Sequence, residues 1–361
     1  KIKKTKKSGE AIKMMESFVN QALKNTKEYG MEGVHVGVAN IKVVGCGGVG
    51  SNTVTWLHKK GISGAEVVAL NTDKQHLEIS SADYKILIGR ELTRGLGCGG
   101  FPEKGREAAK ESLHDLKEVL KGADMVFVCA GLGGGTGSGS APVVAQLARE
   151  QGAIVIGTVT MPFDIERARV DKAEFALQQL REVSDTVIVI DNNRLTSIAG
   201  NLPIQQAFAV ANELISTMIK GIVETIAVPS LVNLDYADVK AIMSNGDVSV
   251  VGIGESDTDS RVEEATRRAL TNPLLDVSYD GATGALIHIT GGDDLTLDEV
   301  NRVGELITES LDPDANVIMG ARIEPSMKGK IRVMTIITGV ISPYILGRVD
   351  KKKFANPGVT V

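Results

Sequence analysis

Gly131-Leu132-Gly133-Gly134-Gly135-Thr136-Gly137-Ser138-Gly139-Ser140-Ala141-Pro142 is the stretch on which the fold turns. It follows an apolar, strand-like run at 123–130 and precedes a run with helical spacing at 141–151. Six glycines in nine residues, 131–139, give up much backbone entropy on folding. A dense nest of backbone N–H donors around an anion offsets that loss, with the Thr136 and Ser138 hydroxyls adding to it.

Two further glycine loops lie upstream. Gly45-Cys46-Gly47-Gly48-Val49-Gly50 also follows a strand and opens a helix, and it spells G-x-G-x-x-G. Glycines there let the backbone approach phosphate oxygens, and the helix start supplies free N–H groups and a positive dipole end. Gly95-Leu96-Gly97-Cys98-Gly99-Gly100 is the third. These loops carry much of a glycine excess: the chain has 40, where ordinary usage of about 7% gives roughly 25. A nicotinamide enzyme needs one such loop, so several fit a triphosphate better. No G-x-x-x-x-G-K-[ST] occurs, which removes the P-loop enzymes. A Rossmann-type nicotinamide-dependent oxidoreductase stays as the alternative. It wants an acid closing the second strand, where Leu70-Asn71 stands and Asp73 comes late.

Around these loops the pattern is strand and helix in alternation. Strands are predicted at 36–45, 65–70, 85–88, 123–130, 153–161 and 186–191, and helices at 10–30, 50–60, 103–121, 141–151 and 170–182. Strands apolar throughout and separated by helices imply a parallel sheet covered on both faces. Its ligand site lies at the strand-to-helix turns, all of which emerge on one side. From 204 to 228, Ile204, Ala207, Phe208, Ala211, Leu214, Ile215, Met218, Ile219, Ile222 and Ile226 keep helical spacing over about six turns, as in a helix held between two layers. Beyond Pro229, strands at 248–254, 285–290, 317–323 and 330–341 with helices at 260–270 and 296–311 make a second α/β unit.

Composition excludes other classes. At 361 residues the chain fills two domains. The longest apolar run, near 152–161, is too short to span a bilayer, so no transmembrane segment is expected. No secretory signal opens the chain, and Cys46, Cys98 and Cys129 share no disulfide or zinc spacing, which suits a reducing, cytoplasmic setting. A net charge of −5 argues against nucleic acid as a partner. Basic runs at 1–7 and 348–353 read as solvated tails. The histidines His35, His58, His76, His114 and His288 form no cluster and read as surface or satisfied core residues, with no metal site among protein side chains.

The glycine-rich run Gly133–Gly139 resembles the signature of the tubulin and FtsZ superfamily. Asn71-Thr72-Asp73, Arg94-Gly95-Leu96-Gly97, Pro162-Phe163, Asn233-Leu234-Asp235-Tyr236-Ala237-Asp238 and Asp280-Gly281-Ala282-Thr283-Gly284-Ala285 fall in that family's order and spacing. The likeness runs from about 35 to 345 and is closer to FtsZ, including an archaeal branch, than to the longer tubulins. It implies an α/β fold: a Rossmann-like parallel-sheet GTP-binding domain at 35–203, a central helix at 204–228, and a smaller α/β domain at 229–345 that serves activation and assembly. A basic start with a helix at 1–34 and a basic tail at 346–361 flank them. The implied activity is that of a GTPase, binding GTP and GDP with Mg2+ bridging the phosphates. Its partners would be further copies of itself in a head-to-tail filament at the division site, and an unidentified membrane tether or division protein.

Site residues follow from the same resemblance. Gly47, Gly48, Asn52, Gly97, Gly99 and Gly133, Gly134, Gly135, Thr136, Gly137, Ser138 and Gly139 would surround the phosphates. Pro162, Glu166 and Arg169 would meet the ribose, although the family commonly places its arginine four residues after the glutamate, where Val170 stands here. Phe208 would stack on the base, and Asn192 and Asn212 would read its edge; Asn212 lies one turn above Phe208 on the same helix face. Unaided, Asp235 reads as a cap on a helix beginning near Tyr236, with Asp238 in its first turn. The resemblance gives Asn233, Asp235 and Asp238 a catalytic role in the site of the next subunit. A tubulin-like scaffold that holds nucleotide without hydrolysis would not need these carboxylates.

Overall fold

Ile41–Cys46 (β1), Ala65–Asn71 (β2), Tyr84–Leu87 (β3), Met125–Gly131 (β4), Ile154–Met161 (β5) and Thr186–Asp191 (β6) form one sheet in the computed structural model. The structure describes residues 39–227, 236–243, 249–271, 279 and 282–340. All of them fall in one compact unit, Ala39–Val361. The strand order is β3-β2-β1-β4-β5-β6 and every pairing is parallel. Every residue of β1 and β5 is buried, which explains why they read as unbroken apolar runs. Alternate residues feed opposite faces. Val43 and Phe127 join one core with Val54 and Leu57, while Val44 and Val128 join another with Ala141 and Leu180. Strand order reverses between β1 and β4, so the crevice for a ligand opens at their C-terminal ends.

Ile204–Ala227 is one helix of 24 residues, about 36 Å long. Its Ile215, Ile219 and Ile222 share a core with Phe127 of the first sheet and with Val250 and Met334 of a second. That second sheet holds Ser249–Ser256 (β7), Gly284–Gly291 (β8), Asn316–Ile323 (β9) and Ile331–Thr338 (β10) in the order β7-β10-β8-β9. It is mixed: β10 runs antiparallel to β7 and β8, and β8 parallel to β9. Thr186 and Ser249 hydroxyls, 2.7 Å apart, join the two sheets directly. The expected α/β architecture, with a long helix between layers, is therefore present.

Several boundaries move. The helix expected at 103–121 is two, Pro102–Glu111 and Leu113–Leu120, broken at Ser112, whose hydroxyl instead accepts from the Gly89 N–H. The helices expected from 50 and 141 begin earlier, inside their glycine loops, at Gly47 and Thr136. Pro142, second residue of the expected helix, therefore lies in its second turn. Short helices at Lys74–Ile79, Arg90–Thr93 and Asn192–Ala199 had no strong periodicity to announce them. The first strand begins at Ile41, later than expected. The expected helix at 10–30 and the basic runs lie outside the described residues. No described helix is long and apolar enough to cross a membrane.

Candidate functional site: a cleft floored by two glycine loops

The loops after β1 and β4 meet backbone to backbone. Gly47 has φ +71°, and a Cβ on it would stand 2.7 Å from the Gly137 nitrogen, so only glycine lets the loops close. Both loops run straight into helices, Gly47–Lys60 and Thr136–Glu150, whose first N–H groups lack intrahelical partners. Gly48, Val49, Gly131, Leu132, Gly134, Gly135, Thr136 and Gly137 floor a cleft of about 360 Å3. Two helix starts converging on one cleft form an anion site built from backbone. The Thr136 hydroxyl is held 2.7 Å from that of Thr72 at the end of β2. Cys46, in the first loop, is fully buried, and burial pushes its thiol up to about 12, so it packs and does not react.

The walls come from the turns after β5 and β6 and from the long helix. Thr160, Pro162, Phe163, Glu166, Arg169, Asn192 and Phe208 line them. Arg169 donates to Glu166 Oε2 at 2.7 Å, and Glu166 Oε1 accepts from the Phe163 N–H at 3.0 Å, so the turn is tied to itself. Asp191 caps the following helix by accepting from the Asn193 N–H, and the Asn193 Oδ1 accepts from the Asp164 N–H. The residues on either side of Asn192, Asp191 and Asn193, thus bind the two turns together. Phe208, expected in the apolar stripe of its helix, is 42% exposed, with Phe163 set edge-on at 6.5 Å. An open aromatic face at a cleft is a surface for a flat ring.

Other expected contacts stand elsewhere. Ser138 is 1% exposed and its hydroxyl accepts from the Gly133 N–H at 2.8 Å, so it braces the loop and does not face the cleft. Gly139 packs against the Pro102 carbonyl, and Gly133 against Arg169. Gly97 and Gly99 belong to a neighbouring loop pinned by the Gly97 N–H to Thr72 O and by Lys172 to Gly100 O, and neither lines the cleft. Asn212 accepts from the Thr53 hydroxyl at 3.3 Å and does not line the cleft; Asn52, one helical turn past Gly48, accepts from His76 at the border of the floor. Thr160, Val49, Leu132 and Phe163 line the cleft beyond what the sequence predicts, and His76 adjoins it. Apolar side chains and a lone histidine carry no local signal of a site.

Asn233 and Asp235 lie outside the described residues. Asp238 is in the first turn of the helix Tyr236–Met243. That helix is fixed where β4 begins: the Tyr236 hydroxyl donates to Asp124 O at 2.7 Å. The glycine loop lies where β4 ends, a strand's length away, about 20 Å at 3.3 Å per residue. Asp238 and the cleft are therefore at opposite ends of one subunit.

Among the described residues no three His, Cys, Asp or Glu side chains cluster for a metal. The cleft offers hydroxyl, amide and backbone groups with one acid, Glu166, which is already paired. That donor set suits a magnesium ion that arrives on phosphates and keeps its waters.

Comparison with known proteins places the chain. Residues 40–200 match the model of the GTPase domain of the Tubulin/FtsZ family, and residues 247–341 match the FtsZ family C-terminal domain. A protein of Methanocaldococcus jannaschii named cell division protein FtsZ 2 is 61% identical over 327 residues, 90% of this chain and 86% of the relative. A solved structure described as an empty FtsZ dimer from M. jannaschii superposes with TM-score 0.79 at 49% identity, over 88% of this chain and 91% of that one. A GTPγS-bound CetZ2 protofilament from Haloferax volcanii shares the fold at TM-score 0.75 and 23% identity, over 88% and 98% of the two chains. The match at 40–200 takes in all three glycine loops, and the oxidoreductase alternative falls with it.

Proposed function

From the premise that this chain belongs to the FtsZ family of the tubulin superfamily, we propose a GTPase whose active site is shared between successive subunits of a filament. As a member of that family it is a cytoskeletal protein that binds guanine nucleotide and hydrolyses GTP. The base lies against Phe208 with Asn192 at its edge, the ribose against Pro162, Glu166 and Arg169, and the phosphates on the floor from Gly48 to Gly137. Magnesium, borne by the phosphates with Thr136 nearby, would neutralise charge on them. Asp238, with Asp235 and Asn233, comes from the next subunit and orients the attacking water, the positioning role that dominates phosphoryl transfer. The observation that carries this reading is the separation of Asp238 from the cleft across the length of β4. Unlike surfaces meeting without closure give a filament. The filament would form at the division site, held to the membrane by a separate tether.

The test is GTP turnover per subunit against protein concentration, with magnesium, for the natural chain and Asp238→Ala. Turnover should switch on above a threshold, and the variant should still bind GTP while losing about 100-fold in rate. Turnover that is flat down to dilute protein, or a variant that hydrolyses normally, sinks the shared site.

A further inference from the structure

His76 lies directly behind the cleft floor: its Cε1 is 3.9 Å from where a Cβ on Gly48 would stand. It is the middle link of a hydrogen-bond chain whose direction is set from one end. The Asp73 backbone N–H can only donate, and it donates to Asn71 Oδ1 at 3.2 Å. The Asn71 amide nitrogen therefore faces His76 Nδ1, 3.1 Å away, and donates to it. The imidazole proton then sits on Nε2, which donates to Asn52 Oδ1 at 3.0 Å. Asn71 is 3% exposed, so the chain is anchored in the core. With its oxygen occupied, Asn52 has only its NH2 left to offer, and that group has no hydrogen bond among the described residues.

We propose that His76 is a positioning residue of the phosphate site, orienting the Asn52 amide so that its NH2, and not its oxygen, meets the anionic end of the nucleotide. This rests on the guanine-nucleotide reading above. An unrestrained asparagine presents donor and acceptor edges equally, and the acceptor edge repels a phosphate. A neutral imidazole accepts on one nitrogen and donates on the other, so it passes the polarity of a fixed backbone N–H to a side chain on the next element without adding charge.

The experiment measures binding of GTP, GDP and guanosine to the full chain and to His76→Leu, His76→Gln, Asn52→Ala and the His76→Leu/Asn52→Ala double variant, with thermal melting alongside. His76→Leu should weaken GTP and GDP about fivefold, the scale of one misplaced hydrogen bond, and leave guanosine unchanged. His76→Gln, which can restore the donor to Asn52 Oδ1, should recover most of the loss. In the Asn52→Ala background the leucine should cost nothing further. The proposal is overturned if His76→Leu binds GTP normally, if it weakens guanosine equally, or if its full loss adds to that of Asn52→Ala. Should the leucine variant not fold, His76→Ala is judged by the same readouts. If the natural chain holds guanosine as tightly as GTP, the nucleotide reading itself fails, a different result from any of these.

Discussion

The six-stranded sheet keeps its working end almost free of charge, whereas the four-stranded sheet is tied together by it. At the first, backbone meets backbone: Gly47 against Gly137, two helix starts converging, one Glu166–Arg169 pair at the rim. Around the second, Arg261 donates to Asp294 Oδ2 and Glu299 Oε1, each at 2.7 Å, and Arg332 donates to Glu255. The Arg261 guanidinium holds the Asp294 and Glu299 carboxyls below the ordinary carboxylate range. A site that takes a polyanion needs donors without competing acceptors. A sheet that serves as a support can satisfy its edges with ion pairs.

Glycine substitutions give the sharpest break between the two. A Cβ at Gly50 would stand 2.4 Å from the Cys129 carbonyl, and one at Gly252 1.6 Å from that of Ala269. Backbone cannot give way as a side-chain tip does, so Gly50→Ala and Gly252→Ala should each cost about 3 kcal/mol. Denaturant titration checks the stability. Nucleotide titration on whatever remains folded should separate them, with binding lost at Gly50 and kept at Gly252. Equal binding by both variants would erase the contrast.

An acid titration between pH 6.5 and 4 probes the second sheet. His288, on β8, is buried with its Nε2 unpartnered. Burial, reinforced by Arg322, pulls its imidazole down from the ordinary 6.5 to about 4. The unfolded chain takes up the proton near 6.5 and the folded chain only near 4, so this stability is complete above that window and lost as pH falls through it. The loss by pH 4 is about 3 kcal/mol, and His288→Leu should flatten the slope between pH 6.5 and 4. Asp294 and Glu299, being depressed, lose their contributions at lower pH. An unchanged slope in the variant would move the effect elsewhere.

The smallest effect belongs to the exposed contact between the layers. Lys60 and the Trp56 Nε1–H both donate to Glu213 on the long helix and hold its carboxyl below the ordinary range. Glu213 is about half exposed, so Lys60→Met should change stability by under about 0.5 kcal/mol, and less in high salt. A larger change in the melt would mean that the pair transmits more than its contact.

What could be read without coordinates divides along the same physical line. Runs such as Val155, Ile156 and Val159 are apolar because both faces of β5 are covered, and burial leaves a strong local mark. The helical spacing from Ile204 to Ile226 does the same. Helix starts at Gly47 and Thr136 were hidden because glycine lowers helix propensity, and only the meeting of two loops makes them form. Ser112 and Ser138 look like any serine until Gly89 and Gly133 present their N–H groups. Likewise His76 gains meaning only from Asn52 and Asn71, one contributed by each of two neighbouring elements. Chemistry that depends on who stands beside whom is not written in spacing.

One consequence lies in the uniform direction of β1 to β6. Because all six strands point the same way, the subunit has a donor-rich pole and, past Asp124 and Tyr236, an opposite pole of different chemistry. No rotation of the chain interchanges these poles. A head-to-tail row of such subunits, as proposed above, would therefore be a vector: one terminus would show an open cleft and the other the pole that carries Asp238. Subunits would arrive at and leave those termini by different chemistry, giving the row a front and a back.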